Sequence, residues 1–264
     1  MISRRPIRIP AVAGMFYPAE PEPLSDMVRE FLNVPHGSGP APKAIIAPHA
    51  GYVYSGPVAG TAYAQLEGAR SIIRRVVLLG PSHRVHVRGL AAPESDTFAM
   101  PFGDVPVDRA AIDGLADLPQ VTLNEEAHAP EHGLEVHLPF LQRTLDEFSI
   151  VPLVVGDATP EEVAEVIARL WGGPETLIVV SSDLSHYYDY DTARRMDEAT
   201  SKAIETLRPE DIGPEQACGR IPIQGLLLVA REKGLRAEML DLRSSGDTAG
   251  PRDQVVGYGA YAVK

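Results

Sequence analysis

The sequence predicts an α/β fold: a central, mostly parallel or mixed sheet flanked by helices on both faces. Two observations carry this. Four short apolar runs, residues 43–47, 76–79, 150–155 and 177–180, show no polar alternation, which is the pattern of strands buried on both faces. Stretches with helical spacing fall between them, and strands alternating with helices imply a sheet covered on both sides.

The elements follow in order. Residues 1–22 hold arginines and prolines and read as an extended arm and loop. Residues 23–33 place Leu24, Met27, Val28, Phe31 and Leu32 at helical spacing, and residues 36–42 form a Gly/Pro-rich linker. Residues 57–70 are apolar and alanine-rich, and residues 134–147 have helical periodicity. Thr159 can cap a helix that Pro160 opens and Glu162 completes as a capping box. Residues 191–207 form a long amphipathic helix. Residues 222–233 form an apolar helix ending at Gly234, a left-handed C-cap. Residues 235–242 and 255–263 read as two closing strands. No linker of domain-separating length appears, so residues 1–264 are expected to form one domain.

Composition narrows the function. Hydrophobic residues make up 44% and charged residues 23%, ordinary for a soluble globular chain. The net charge of -12 repels phosphate backbones, and an aromatic content of 6% leaves no rows of base-stacking side chains. Nucleic-acid binding is therefore not expected. One cysteine, Cys218, excludes an internal disulfide framework and a Cys-only zinc site. The first residues lack the apolar core of a signal peptide, and no run of 18 apolar residues appears. The expected location is the cytoplasm, with no membrane span.

Three of the four apolar runs lead directly into a histidine: His49, His83 and His186. In open α/β sheets ligands gather at the carboxyl ends of strands, where the loops converge. Neutral imidazole ligates Zn, Fe, Cu or Ni. Three histidines in equivalent places point to a metal site, although a single one would more often be structural. A carboxylate would complete a two-histidine, one-carboxylate iron set. Asp183, three residues before His186, and Asp247 are the candidates, with Asp157 a weaker third. The stretch around Asp247 also reads as a surface loop. His132, Glu135 and His137 lie in a segment dense in titratable groups. They either line the same pocket or belong to a solvated loop and helix start. No nucleophile elbow, Walker loop or His-Glu-x-x-His motif occurs. Cys218 reads as an inert buried thiol.

Several stretches together resemble the Memo family, whose prokaryotic members are also called AmmeMemoRadiSam system protein B. They are Ala11-Val12-Ala13-Gly14-Met15-Phe16-Tyr17-Pro18, Ala47-Pro48-His49-Ala50-Gly51-Tyr52-Val53-Tyr54-Ser55-Gly56 and Gly80-Pro81-Ser82-His83. The others are Glu135-Val136-His137-Leu138-Pro139-Phe140, Ser181-Ser182-Asp183-Leu184-Ser185-His186-Tyr187 and Ala217-Cys218-Gly219-Arg220. The resemblance implies kinship with the class III extradiol ring-cleaving dioxygenases and a metal pocket at His49, His83 and His186. Where animal members place a cysteine, this chain has Asp247, which restores a carboxylate and argues against thiolate-dependent copper chemistry.

On that resemblance, His49, His83 and Asp247 are expected to hold Fe(II), with Zn or Cu as alternatives. His186 is expected to be a fourth ligand or the acid/base group, oriented by Asp183. Tyr54 and Tyr187 are expected to wall the substrate pocket. The expected reaction is a dioxygenase-like oxidation of an unknown small molecule or peptide. A metal-dependent hydrolase and a non-enzymatic peptide-binding module are the alternatives. The family name further implies a functional link to radical-SAM and AMMECR1-domain proteins.

Overall fold

The computed structural model describes residues 6–35 and 40–264. Among them the strands are β1 (Ile7–Arg8), β2 (Ala44–Ala47), β3 (Arg75–Pro81), β4 (Leu90–Ala92), β5 (Thr97–Phe98) and β6 (Val105–Pro106). They continue as β7 (Val121–Leu123), β8 (Ser149–Val155), β9 (Thr176–Ser181), β10 (His186–Tyr188), β11 (Ala237–Ser244) and β12 (Val255–Val263). The helices are α1 (Pro21–Leu32), α2 (Tyr52–Ala64), α3 (Arg109–Asp113), α4 (Glu125–His128), α5 (Leu138–Thr144), α6 (Pro160–Arg169), α7 (Tyr190–Glu205), α8 (Arg220–Glu232) and α9 (Ser245–Thr248).

The four apolar runs become β2, β3, β8 and β9, and these are neighbours in the order β2-β9-β3-β8, all parallel. Ile45, Ile46, Val76–Leu79, Ile150, Val151 and Ile178–Val180 are fully buried on these strands. Such runs need no polar face, because both faces are covered. Antiparallel strands extend this core: β4 on β8, and β12 on β2. β12 also pairs with β10 and β11. The result is a nine-stranded mixed sheet, flanked by helices that include α1, α2 and α5 in one packed group and α6 with α8 in another.

Local signals held where backbone chemistry decides them. The Thr159–Glu162 capping box is formed, and Gly234 adopts a φ of 68°. Other bounds moved. α2 begins at Tyr52, and Pro57 lies within it rather than opening it. The helix expected over 134–147 splits into a 3-10 turn, Glu135–His137, and α5. Pro139 lacks an N–H and suits a first turn, so α5 restarts there. The expected linker at 36–42 falls largely on residues 36–39, outside the described residues. β1 lies in the expected extended arm and pairs with β5, whereas the strands from β4 to β7 and α3 match no element expected from sequence.

Gly60 shows how closely α1 and α2 cross. A Cβ there would stand 2.3 Å from the Phe31 carbonyl oxygen. Gly60→Ala should cost about 1–3 kcal/mol, the usual penalty for overpacking. The urea midpoint checks this; an unchanged midpoint would mean the helices part without cost.

Candidate metal centre

The parallel order places the carboxyl ends of β2, β9 and β3 side by side. His49 lies two residues beyond β2, Asp183 two beyond β9, and His83 two beyond β3. A third imidazole arrives from elsewhere: His132, in the loop after α4. His49, His83 and His132 each offer a ligand atom within 4.8 Å of the others. Ring centroids are 5.0 Å apart for His49–His83, 5.6 Å for His49–His132 and 4.5 Å for His83–His132. His49 is buried and His83 reaches solvent, so the cluster has a floor and a mouth.

Hydrogen-bond accounting assigns the protons. Ser181 Oγ lies 2.5 Å from the Gly133 carbonyl oxygen, 2.7 Å from His49 Nδ1 and 2.8 Å from His137 Nε2. A carbonyl only accepts, so the one hydroxyl proton goes to Gly133. Both imidazoles must then donate to Ser181. That leaves His49 protonated at Nδ1, with its Nε2 lone pair facing Cys218 Sγ at 3.4 Å. His137 in turn accepts at Nδ1 from the Tyr63 hydroxyl, 2.8 Å away. His83 donates Nδ1–H to Glu131 Oε1 at 2.7 Å, which turns its own Nε2 outward as an acceptor. Glu131 also takes the His83 and Gly133 amides. Carboxylate and hydroxyl partners of this kind fix tautomer and orientation in metal-binding histidines.

Electrostatics agree. Burial, with His83 and His132 nearby, holds His49 well below the ordinary histidine range. Burial and His83 lower His132 likewise. Burial raises the Glu131 carboxyl, but its hydrogen bonds from His83 and the Gly133 amide prevail and bring it to about 2. The ring nitrogens of His49 and His132 are therefore neutral donors near pH 7, as a metal requires. His132 Nδ1 is buried with no hydrogen-bond partner, 3.6 Å from Glu131 Oε1. Three converging imidazoles fit a borderline transition metal such as Fe(II) or Zn(II).

Of the other expected residues, Asp183 stays beside this cluster, whereas Asp247 and His186 are not part of it. Asp247 does not join the three imidazoles. Its Oδ2 caps α9 through the amide and hydroxyl of Ser244, and its Oδ1 accepts from Tyr190 at 2.7 Å. Arg252 adds an ion pair at 3.5 Å. His186 pairs with Val256 on β10, half-buried and outside the trio. Asp183 accepts the His49 amide at Oδ1, 2.7 Å away, and turns Oδ2 to within 4.0 Å of His49 Nε2. Burial raises its carboxyl pKa.

Glu135 and His137 are fully buried behind the site, not around its mouth. Tyr54 and Tyr187 are exposed at 40% and 71%, and Tyr187 holds a left-handed φ of 64° beside His186. Strained backbone of this kind clusters at functional sites. Nothing in the sequence marks Glu131 or Ser181 for a role at the site. Cys218, expected to be inert, places its Sγ 3.4 Å from His49 Nε2. Burial and Asp183 push that thiol up to about 12, so it stays neutral.

The buried histidines set an acid limit on the fold. Burial holds His128 down to about 4, against 6.5 for the free side chain, and His137 to about 3. The unfolded chain takes up protons below 6.5 while the folded chain does not. Stability is thus full above that pH and falls as the pH drops towards 4, by roughly 3 kcal/mol for His128 alone. The urea midpoint at about pH 5 should lie below that at about pH 7.5; equal midpoints would contradict the burial of these rings.

Comparison with known proteins decides the family. The family description "Memo-like protein" matches residues 8–262. The chain belongs to the Memo-like family. It is 37% identical to a MEMO1 family protein of Aquifex aeolicus, over 96% of this chain and 97% of that one. A MEMO1 family protein of Archaeoglobus fulgidus is 39% identical over 98% of this chain and all of its own length. The crystal structure of the uncharacterized protein JW3007 from Escherichia coli K12 aligns with a TM-score of 0.53 at 15% identity. That alignment covers 81% of this chain and 98% of the other, and the likeness is one of fold. Memo-like membership confirms the resemblance carried by the sequence motifs. Among the described residues no helix is long and apolar enough to cross a membrane.

Proposed function

We propose that this chain is a non-haem iron enzyme of dioxygenase-like, oxidoreductase type, with His49, His83 and His132 holding Fe(II). The observation that carries the reading is the convergence of three imidazoles within 4.8 Å, two of them aimed by Ser181 and Glu131. When bound, the ion supplies a Lewis acid and a redox couple.

The chain's own groups do the rest. Asp183 Oδ2 faces the imidazoles and takes a proton from substrate, because its buried carboxyl is raised towards a working base. His186, three residues after Asp183 and half-buried, is the second proton-transfer group. Tyr54 and Tyr187 present aromatic faces to solvent and receive the organic part of the substrate. Cytoplasmic action on a small molecule or peptide, with a functional link to radical-SAM and AMMECR1-domain proteins, belongs to the same proposal.

A metal-dependent hydrolase is the second reading. What favours it is that the third donor is imidazole rather than carboxylate, the all-histidine set of water-activating zinc sites. Nitric oxide tests the redox reading. Anaerobic protein loaded with Fe(II) should give the high-spin iron–nitrosyl signal, one per chain, and His49→Ala should lose it. Bound iron without that signal would leave no open position for oxygen and would sink the redox reading.

A further inference from the structure

We propose that the buried Arg8–Glu135 pair is a positioning device for the metal centre. It locks the N-terminal arm onto the loop carrying Glu131 and His132, and so sets where the third imidazole stands. The inference rests on the metal reading above.

Arg8 is 3% exposed. Its Nε donates to the His128 carbonyl at 2.9 Å and its Nη2 to the Glu131 carbonyl at 2.5 Å. Its Nη1 donates to Glu135 Oε2 at 2.7 Å. The guanidinium lies 4.9 Å over the Phe98 ring. Glu135 is fully buried and gathers the arm from the other side. It accepts from the amides of Ala11 at 2.6 Å and Val12 at 3.0 Å, and from the Tyr17 hydroxyl at 2.6 Å.

The loop from His128 to Glu135 is thus tied to the arm at both ends, and His132 lies between the ties. The arm then reaches the ligands themselves. Phe16 packs edge-on against the His132 ring at 4.8 Å, and its carbonyl accepts the Tyr52 amide at 2.8 Å, three residues past His49. One segment therefore braces two of the three ligand-bearing turns. A buried ion pair is a poor source of net stability, because desolvating the charges offsets their attraction. Its planar fork does specify geometry: three acceptors from one loop on one rigid cation.

Co(II) titration followed by visible absorption tests this, with Arg8→Met, Arg8→Lys and a control, Arg75→Met. Arg75 pairs with Asp108 at 2.7 Å, at the opposite end of β3 from His83. Wild type should bind Co(II). Arg8→Met should bind it about 10–100-fold more weakly with a shifted spectrum, the range typical of lost outer-sphere support. Arg75→Met should lower Tm and leave affinity and spectrum unchanged.

If Arg8→Met does not fold, Arg8→Lys decides. It keeps the charge opposite Glu135 but cannot reach both carbonyls, so its spectrum should shift at near wild-type Tm. A wild-type spectrum and affinity in the folded Arg8 variant would overturn the positioning role while leaving the metal reading intact. No Co(II) binding by wild type would overturn both.

Discussion

His49→Ala is expected to abolish stoichiometric metal binding, whereas Asp247→Ala is expected to leave it intact. The two substitutions separate the ligand set expected from sequence from the one the structure assembles. His49 is 2% exposed, and Ser181 holds its ring at Nδ1, in a cluster with His83 and His132. Removing it deletes one of three donors and leaves two imidazoles that cannot close a site.

Asp247 is already engaged by Ser244, Tyr190 and Arg252. Its loss should cost stability, about 0.5–2 kcal/mol for a broken cap, without releasing metal. Elemental analysis of anaerobically purified protein reads both results. Metal retained by His49→Ala would defeat the assignment of the trio. Metal lost from a folded Asp247→Ala would return the carboxylate to the ligand set.

The second large effect is expected at Ser181. Ser181→Ala removes the hydroxyl that orients His49 and His137 and satisfies the Gly133 carbonyl. Three buried polar groups lose a partner at once. The stability loss should be about 1–3 kcal/mol or more, from unsatisfied groups in a dry interior. Metal affinity should fall about 10–100-fold, because the His49 tautomer is no longer dictated. Ser181→Thr keeps the hydroxyl and should recover most of the affinity if the added methyl is accommodated. The outcome that would refute the accounting is wild-type affinity in Ser181→Ala.

The sheet was legible because fully buried parallel strands leave an unmistakable local trace: β2, β3, β8 and β9 are apolar without alternation. The placement of His49 and His83 followed from that, since both sit two residues past such strands. His186 carried the same signature and still falls outside the trio. The chain turns at Asp183 to Ser185 and re-enters the sheet as β10, so distance along the sequence did not translate into convergence.

His132 was marked only as one of several pocket candidates in a segment dense in titratable groups, because it follows no strand and its loop is held by contacts with Arg8, a residue about 120 positions away. Nor could Asp247 be told from a ligand: its sequence suits a turn, and only the cap with Ser244 shows where its oxygens point. The short strands from β4 to β7 were lost among prolines and glycines, since two or three residues show no periodicity.

β12 joins β2 antiparallel through Ala44–Ile46 and Tyr261–Val263, and among the described residues it alone links β10 and β11 to the rest of the sheet. During synthesis β2 emerges first and waits for that partner through about 200 residues, roughly ten to forty seconds at ribosomal speed. The turn bearing His49 leaves the end of β2, so its anchorage is incomplete for all of that interval. Nascent chains halted before residue 255 are accordingly expected to emerge without the ability to retain metal, and the finished chain to gain it.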